Sequence, residues 1–166
     1  NIVKSIRSIS KKTLDVHLMI SPVEKFIDNF IDAGADIISF HPDADKNSMK
    51  IIKHIKSSNC KAGIAIHPNI KISEIIQFLE IIDLVVVMTV NPGFGGQKFM
   101  ESEVTKIIEL KKIKDEKKLS FEIEIDGGIN KESAEICKKN GANVLVAGSY
   151  IFSNIKENYK TIIESL

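Results

Sequence analysis

The chain has only two cysteines in 166 residues, and neither Cys60 nor Cys137 stands in a CxxC or Cys/His pattern. That excludes a cysteine-based metal knuckle and a disulfide framework, and it fits a reducing compartment. Cys60 precedes a strand and Cys137 falls mid-helix, so both read as packing residues. An excess of one charge is also missing. With 23 basic against 22 acidic residues the net charge is +1, too little to draw nucleic acid or a membrane surface. The paired lysines (Lys11-Lys12, Lys111-Lys112, Lys117-Lys118) alternate with acidic residues and read as solvated helix faces. No run approaches the roughly 18 apolar residues of a membrane span, and there is no signal-peptide core at the start. The longest apolar run, Leu84 to Met88, is strand-sized. A cytoplasmic location is the expectation.

What the chain does have is 43% apolar residues, enough for one sizeable core in a single domain spanning 1–166. Strand-like runs begin near Leu14 (LDVHLMI), Ala35 (ADIISFH), Ala62 (AGIAIH), Leu84 (LVVVMTV), Phe121 (FEIEID) and Val144 (VLVAGS). They are evenly spaced except for one wide gap, between Leu84 and Phe121. A strand, a helix and two turns fit the ordinary interval, which makes this a βα repeat and implies a parallel sheet. Punctuation agrees. Ser21-Pro22-Val23-Glu24 has the form of a capping box, Gly34 and Gly141 stand where helices must stop, and Asn130 and Asn154 are placed to cap the helices that follow.

Two architectures fit six such units: a doubly wound open sheet, or a (β/α)8 barrel without its beginning. No GxGxxG follows the first visible strand, which weakens the dinucleotide-binding sheet. A barrel takes about 200–250 residues, and two more units of the size seen here would complete one. The chain also opens at Asn1 with Ile2, Val3, Ile6 and Ile9 already at helical spacing. The expectation is a (β/α)8 barrel lacking strands 1–2 and helix 1, this chain being its C-terminal three quarters.

The candidate chemistry sits at strand exits. Asp126 ends the run Phe121 to Ile125 and is followed at once by Gly127-Gly128. A carboxylate there can ligate a metal, move a proton, or both. His17 shares one strand face with Asp15 and Met19, which suggests a ligand position. His41 and His67 each end a strand and precede a proline, and either can contact a substrate. His54 lies in a helix and reads as exposed. The wide gap holds Asn91-Pro92-Gly93-Phe94-Gly95-Gly96-Gln97 and a helix from Glu101 to about Lys114. An extended glycine-hinged loop after a strand is what a lid over a ligand needs. Gly127-Gly128 and Gly148-Ser149 supply backbone amides at the last two strand exits, the recurrent phosphate position of barrels. The chain reads as an enzyme handling a small phosphorylated substrate.

These residues carry a resemblance. LDVHLMI (Leu14 to Ile20), VVVMTVNPGFGGQKF (Val85 to Phe99), IEIDGGIN (Ile123 to Asn130) and VLVAGS (Val144 to Ser149) make the chain resemble the ribulose-phosphate 3-epimerase family throughout. The resemblance implies metal-dependent epimerisation at C3 of D-ribulose 5-phosphate to D-xylulose 5-phosphate through a 2,3-enediolate, in the pentose phosphate pathway. It implies one divalent cation (Zn, Fe, Mn or Co) held by two His and two Asp, of which His17 and Asp126 match one each. The other pair belongs to an HxDxMDG-like strand that this sequence does not contain. Asp126 also matches one of the family's two acid/base aspartates. Gly93, Phe94, Gly95 and Gly96 match the lid, and Gly127, Gly128, Gly148 and Ser149 the phosphate site. Met19 and Met88 match the methionines lining the metal pocket. A serine of the family's first strand is absent, and His67 stands where the family more often has Asn or Lys. A homo-oligomer is implied, with a sugar phosphate as the small-molecule partner. The alternatives are an allulose-6-phosphate 3-epimerase, an inactive phosphate-binding fragment, and another phosphate-binding barrel such as a sugar-phosphate decarboxylase.

Overall fold

Strands and helices alternate along the chain in the computed structural model, which describes residues 1–91, 93–153 and 158–166. Pro92 of the glycine-rich loop and the expected cap Asn154 lie outside the described residues. Six strands follow one another in sequence order in a parallel α/β fold. The chain divides into two compact units, one of residues 1–65 and 77–85, the other of residues 66–76 and 86–166.

The first unit holds α1 (Ile2–Ile9), β1 (Asp15–Leu18), α2 (Ile27–Asp32), β2 (Ile37–Phe40), α3 (Ser48–Ser57) and nearly all of β3 (Lys61–Ile66). β1 pairs parallel with β2, and β2 with β3. The register aligns Leu18, Phe40 and Ile64 in one row and His17, Ser39 and Gly63 in the next. Because side chains alternate across a strand, the two rows face opposite sides of the sheet. The first row is buried together with Ile27 of α2 and Ile51, Ile52 and Ile55 of α3. The second row carries the histidine. Arg7 fastens α1: its Nε donates to the Gly34 carbonyl at 2.9 Å and its guanidinium pairs with Asp36.

Gly63 has ordinary backbone angles but no room. A Cβ there would sit 2.9 Å from Ser39 Cβ and 3.1 Å from Leu84 Cβ. Gly63→Ala is therefore expected to destabilise the protein by about 1–3 kcal/mol through overpacking, read as a lower thermal unfolding midpoint. An unchanged midpoint would show that the strands yield without cost.

β4 (Leu84–Met88) begins in the first unit and ends in the second, buried along its whole length. The second unit continues with α4 (Val104–Glu116), β5 (Glu122–Asp126), α5 (Lys131–Lys139), β6 (Val144–Val146), α6 (Gly148–Phe152) and α7 (Tyr159–Glu164). β5 pairs parallel with β6, setting Asp126 beside Val146. Asn130 caps α5 as its sequence position predicts: its side chain accepts from the Ser133 amide at 2.9 Å while Ser133 Oγ accepts from the Asn130 amide.

Three local expectations change. The Ser21–Glu24 capping box does not form, because both side chains are engaged elsewhere. Ser21 Oγ donates to the Ala44 carbonyl at 3.0 Å, and Glu24 takes Lys50 at 2.6 Å. The segment from β3 to β4 crosses in two single 3-10 turns, Ile72–Glu74 and Ile76–Phe78, without an α-helix among the described residues. The helix expected over 101–114 opens as a 3-10 turn, Glu101–Glu103, before α4.

Candidate active site

In the first unit, alternation along β1 puts His17 on the face opposite Leu18, and β2 delivers His41 two residues beyond Ser39 on that same face. The two imidazoles meet. His17 Nε2 and His41 Nε2 are 3.0 Å apart, with ring centroids at 4.9 Å. Asp43 follows in the short turn after β2, its carboxylate within 4.8 Å of a His41 ring nitrogen. His41 thus has an imidazole on one side and a carboxylate on the other, both of them ligand types that suit a borderline divalent metal. Met19 lies just past β1, about half exposed (53%), while Met88 ends β4 and is buried. His54 is exposed on α3, as its helical position predicts, and bonds Asp28 of α2 at 2.6 Å.

In the second unit, Asp126 ends β5 and Gly127-Gly128 turn the chain away at φ +132° and +63°. Neither glycine has space for a side chain. A Cβ on Gly127 would lie 2.6 Å from Val90 Cγ2. One on Gly128 would lie 2.7 Å from Phe99 Cα and 2.9 Å from the Gln97 carbonyl. The strand exit is thus wedged under both arms of the glycine-rich loop. Gly93, Gly95 and Gly96 themselves meet open space, and Phe94 is exposed. Gln97 shapes this loop from within: its Nε2 donates to the carbonyls of Asn91 at 2.6 Å and Phe94 at 2.9 Å.

Gly96, Gln97, Lys98, Phe99, Gly128 and Ser149 all border one open cavity of about 450 Å³. The loop and the two last strand exits singled out in the sequence therefore share a single recess. Gly148 opens α6 rather than ending a strand, so Ser149 presents its backbone from a helical turn. His67 follows β3, and its exit is held from below. Lys106 Nζ donates to the His67 and Pro68 carbonyls at 3.0 and 2.7 Å and pairs with Glu103 at 2.7 Å, both side chains almost fully buried. Sequence reading gave no role of their own to Lys106, Gln97 or Thr89, whose partners lie far along the chain or inside the loop.

Cys60 and Cys137 are buried and reduced. Burial pushes both thiols up to about 11, so at neutral pH neither offers a thiolate.

A model of the ribulose-phosphate 3-epimerase family matches residues 1–152. The chain belongs to that family. It is 45% identical over 152 residues to ribulose-phosphate 3-epimerase of Bacillus subtilis (strain 168), covering 91% of this chain and 70% of that protein. It is 43% identical to the chloroplastic ribulose-5-phosphate-3-epimerase of Arabidopsis thaliana, covering 91% of this chain and 54% of that one. For the ribulose-phosphate 3-epimerase of Escherichia coli (strain K12) the identity is 35%, covering 99% and 73%. Membership makes the chain an isomerase of the epimerase type, from a family acting on sugar phosphates.

Solved structures agree on the fold. A variant tryptophan synthase alpha-subunit from Pyrococcus furiosus superposes with TM-score 0.70 at 16% identity, covering 99% of this chain and 69% of that one. 3-Hexulose-6-phosphate synthase gives 0.71 at 16% identity, covering 99% and 77%. At such identity the likeness concerns architecture alone. No helix among the described residues is long and apolar enough to cross a membrane.

Proposed function

We propose that the protein interconverts D-ribulose 5-phosphate and D-xylulose 5-phosphate by epimerisation at C3 through a 2,3-enediolate, as a step of the pentose phosphate pathway. The observation that carries this reading is Asp126, at the end of β5, with Gly127-Gly128 locked beneath the glycine-rich loop over a cavity shared with Ser149. Inversion at C3 requires taking a proton from one face of the carbon and returning one to the other. Asp126 is the acid/base for one face. The amides at Gly127, Gly128, Gly148 and Ser149 receive the phosphate. The Gly93–Gly96 loop covers the substrate and keeps water from the intermediate.

By likeness to the family we assign His17 and Asp126 to a divalent cation, and the contact of His17 with His41, together with Asp43 beside His41, supports metal-ligating groups at that level of the first unit. Such a cation would act as a Lewis acid toward charge developing on the C2 and C3 oxygens. Met19 and Met88 would line its surroundings. The chain covers 70% of the B. subtilis relative, and we read its six strands as the last six of an eight-stranded barrel. The remaining two metal ligands and the opposing aspartate would then lie on the strands before them. By likeness to the family we assign a cytoplasmic homo-oligomer.

The test is direct. Incubated with ribulose 5-phosphate in D2O, the protein should form xylulose 5-phosphate and place solvent deuterium at C3. Prolonged chelation should reduce turnover at least tenfold, and added Zn, Fe, Mn or Co should restore it. Binding of the sugar phosphate with no exchange at C3 would replace this reading by that of an inert phosphate-binding chain. Turnover of allulose 6-phosphate in preference to the pentose would change the substrate but not the chemistry.

A further inference from the structure

Thr89 stands one residue past β4, fully buried, and each of its polar groups has a different partner. Its amide donates to the Asp126 carbonyl at 2.9 Å. Its hydroxyl donates to the Gly127 carbonyl at 2.6 Å. Its own carbonyl accepts from the Met100 amide at 2.9 Å. Three segments distant in sequence thus meet on one residue: the β4 exit, the Asp126-Gly127 turn, and the trailing arm of the glycine-rich loop. The two glycines after Asp126 add contact to these bonds, since Val90 fills the space beside Gly127 and the backbone of 97–99 the space beside Gly128.

We infer that Thr89 is a positioning residue that couples the glycine-rich loop to Asp126. This rests on the epimerase reading above and adds to it. The amide holds the peptide plane immediately after Asp126 and the hydroxyl holds the next one, between Gly127 and Gly128, so together they set the direction in which the chain, and with it the Asp126 carboxyl, leaves the strand. The Met100 bond ties that same residue to the arm on which the loop must pivot. A change in the loop is therefore felt at Asp126 through one side chain and two peptide planes. A buried carbonyl that loses its donor pulls its peptide toward another partner, and a misplacement on the order of 1 Å at a reacting group costs up to about a hundredfold in rate.

Thr89→Val keeps the shape and both backbone bonds but removes the donor to Gly127. Its kcat for ribulose 5-phosphate should fall about ten- to a hundredfold, with KM changed less than threefold because the proposed phosphate amides of Gly127, Gly148 and Ser149 lie outside the peptide plane that loses its donor, leaving only that of Gly128 in it. Thr89→Ser should recover most of the rate. A Val variant within twofold of the parent in kcat, or a Ser variant as impaired as the Val variant, would overturn the assignment. A readout independent of turnover is hydrogen exchange in the unsubstituted protein. The Thr89 and Met100 amides should exchange together and at least tenfold more slowly than those of Gly95 and Gly96, whereas a Met100 amide exchanging at the loop's rate would refute the coupling. Failure of the parent to turn over ribulose 5-phosphate would instead count against the epimerase reading, leaving the exchange rates to decide the coupling.

Discussion

Asp126→Asn should leave a folded protein whose conversion of ribulose 5-phosphate has dropped by about 10²–10⁴-fold, the range spanned by loss of a general acid/base. The fold should survive because the Asp126 carbonyl still accepts from the Thr89 amide and its neighbours in β5 supply the buried side chains. The amide side chain is similar in shape but neither takes up nor releases a proton as an acid or base near neutral pH. If Asp126 also holds a cation, the variant should bind metal more weakly. Assay with excess divalent ion therefore separates the two roles, since refilling the metal site does not replace the base. Deuterium incorporation at C3 gives the same answer without a coupling enzyme. A variant with near-normal exchange would remove Asp126 from the mechanism, and with it the observation on which the functional reading stands.

The second large effect is expected at Gly128. Its φ of +63° belongs to the left-handed region, which costs an ordinary residue roughly 1–2 kcal/mol. Alanine there would also press its methyl into the Phe99 backbone, which cannot rotate away as a side chain would. Overpacking of that kind costs about 1–3 kcal/mol. The strain is relieved most readily by lifting the 97–99 arm, and that arm borders the cavity where the phosphate is proposed to bind. Gly128→Ala should therefore lower the unfolding midpoint and reduce kcat/KM at least tenfold, with KM rising, the opposite of the split expected at Thr89. A variant of normal stability and normal KM would show that the loop arm is not seated on this glycine.

Much of this arrangement is legible in the sequence because it is local. The order of strands follows from apolar runs and their spacing, and Asp126 stands out because an acid and two glycines end such a run. Asn130 caps α5 through a residue three positions away, and it is found where the pattern puts it. The errors come from distance. The Ser21–Glu24 box has the right letters, but Ala44 and Lys50 compete for its side chains from more than twenty residues off. Thr89 looks like one more polar residue after an apolar run until Gly127, 38 positions later, is folded against it. The meeting of His17 and His41 depends on the parallel register of β1 and β2, which no single strand announces. The interval from β3 to β4 has the length of a strand, a helix and two turns, yet the chain packs Ile72, Ile75 and Phe78 inward from single turns.

The bonds from Gln97 to Asn91 and Phe94 bear on how binding energy is distributed. A covering segment that must first be ordered by its ligand consumes part of the affinity in lost chain freedom, about 0.5–1.5 kcal/mol for each mobile side chain fixed. Here a single carboxamide already folds the loop on itself, so a ligand covered by it, as proposed, would have less chain freedom to remove. On the proposed function, more of the attraction between phosphate and amides would then be free to hold the sugar in the strained geometry of proton removal.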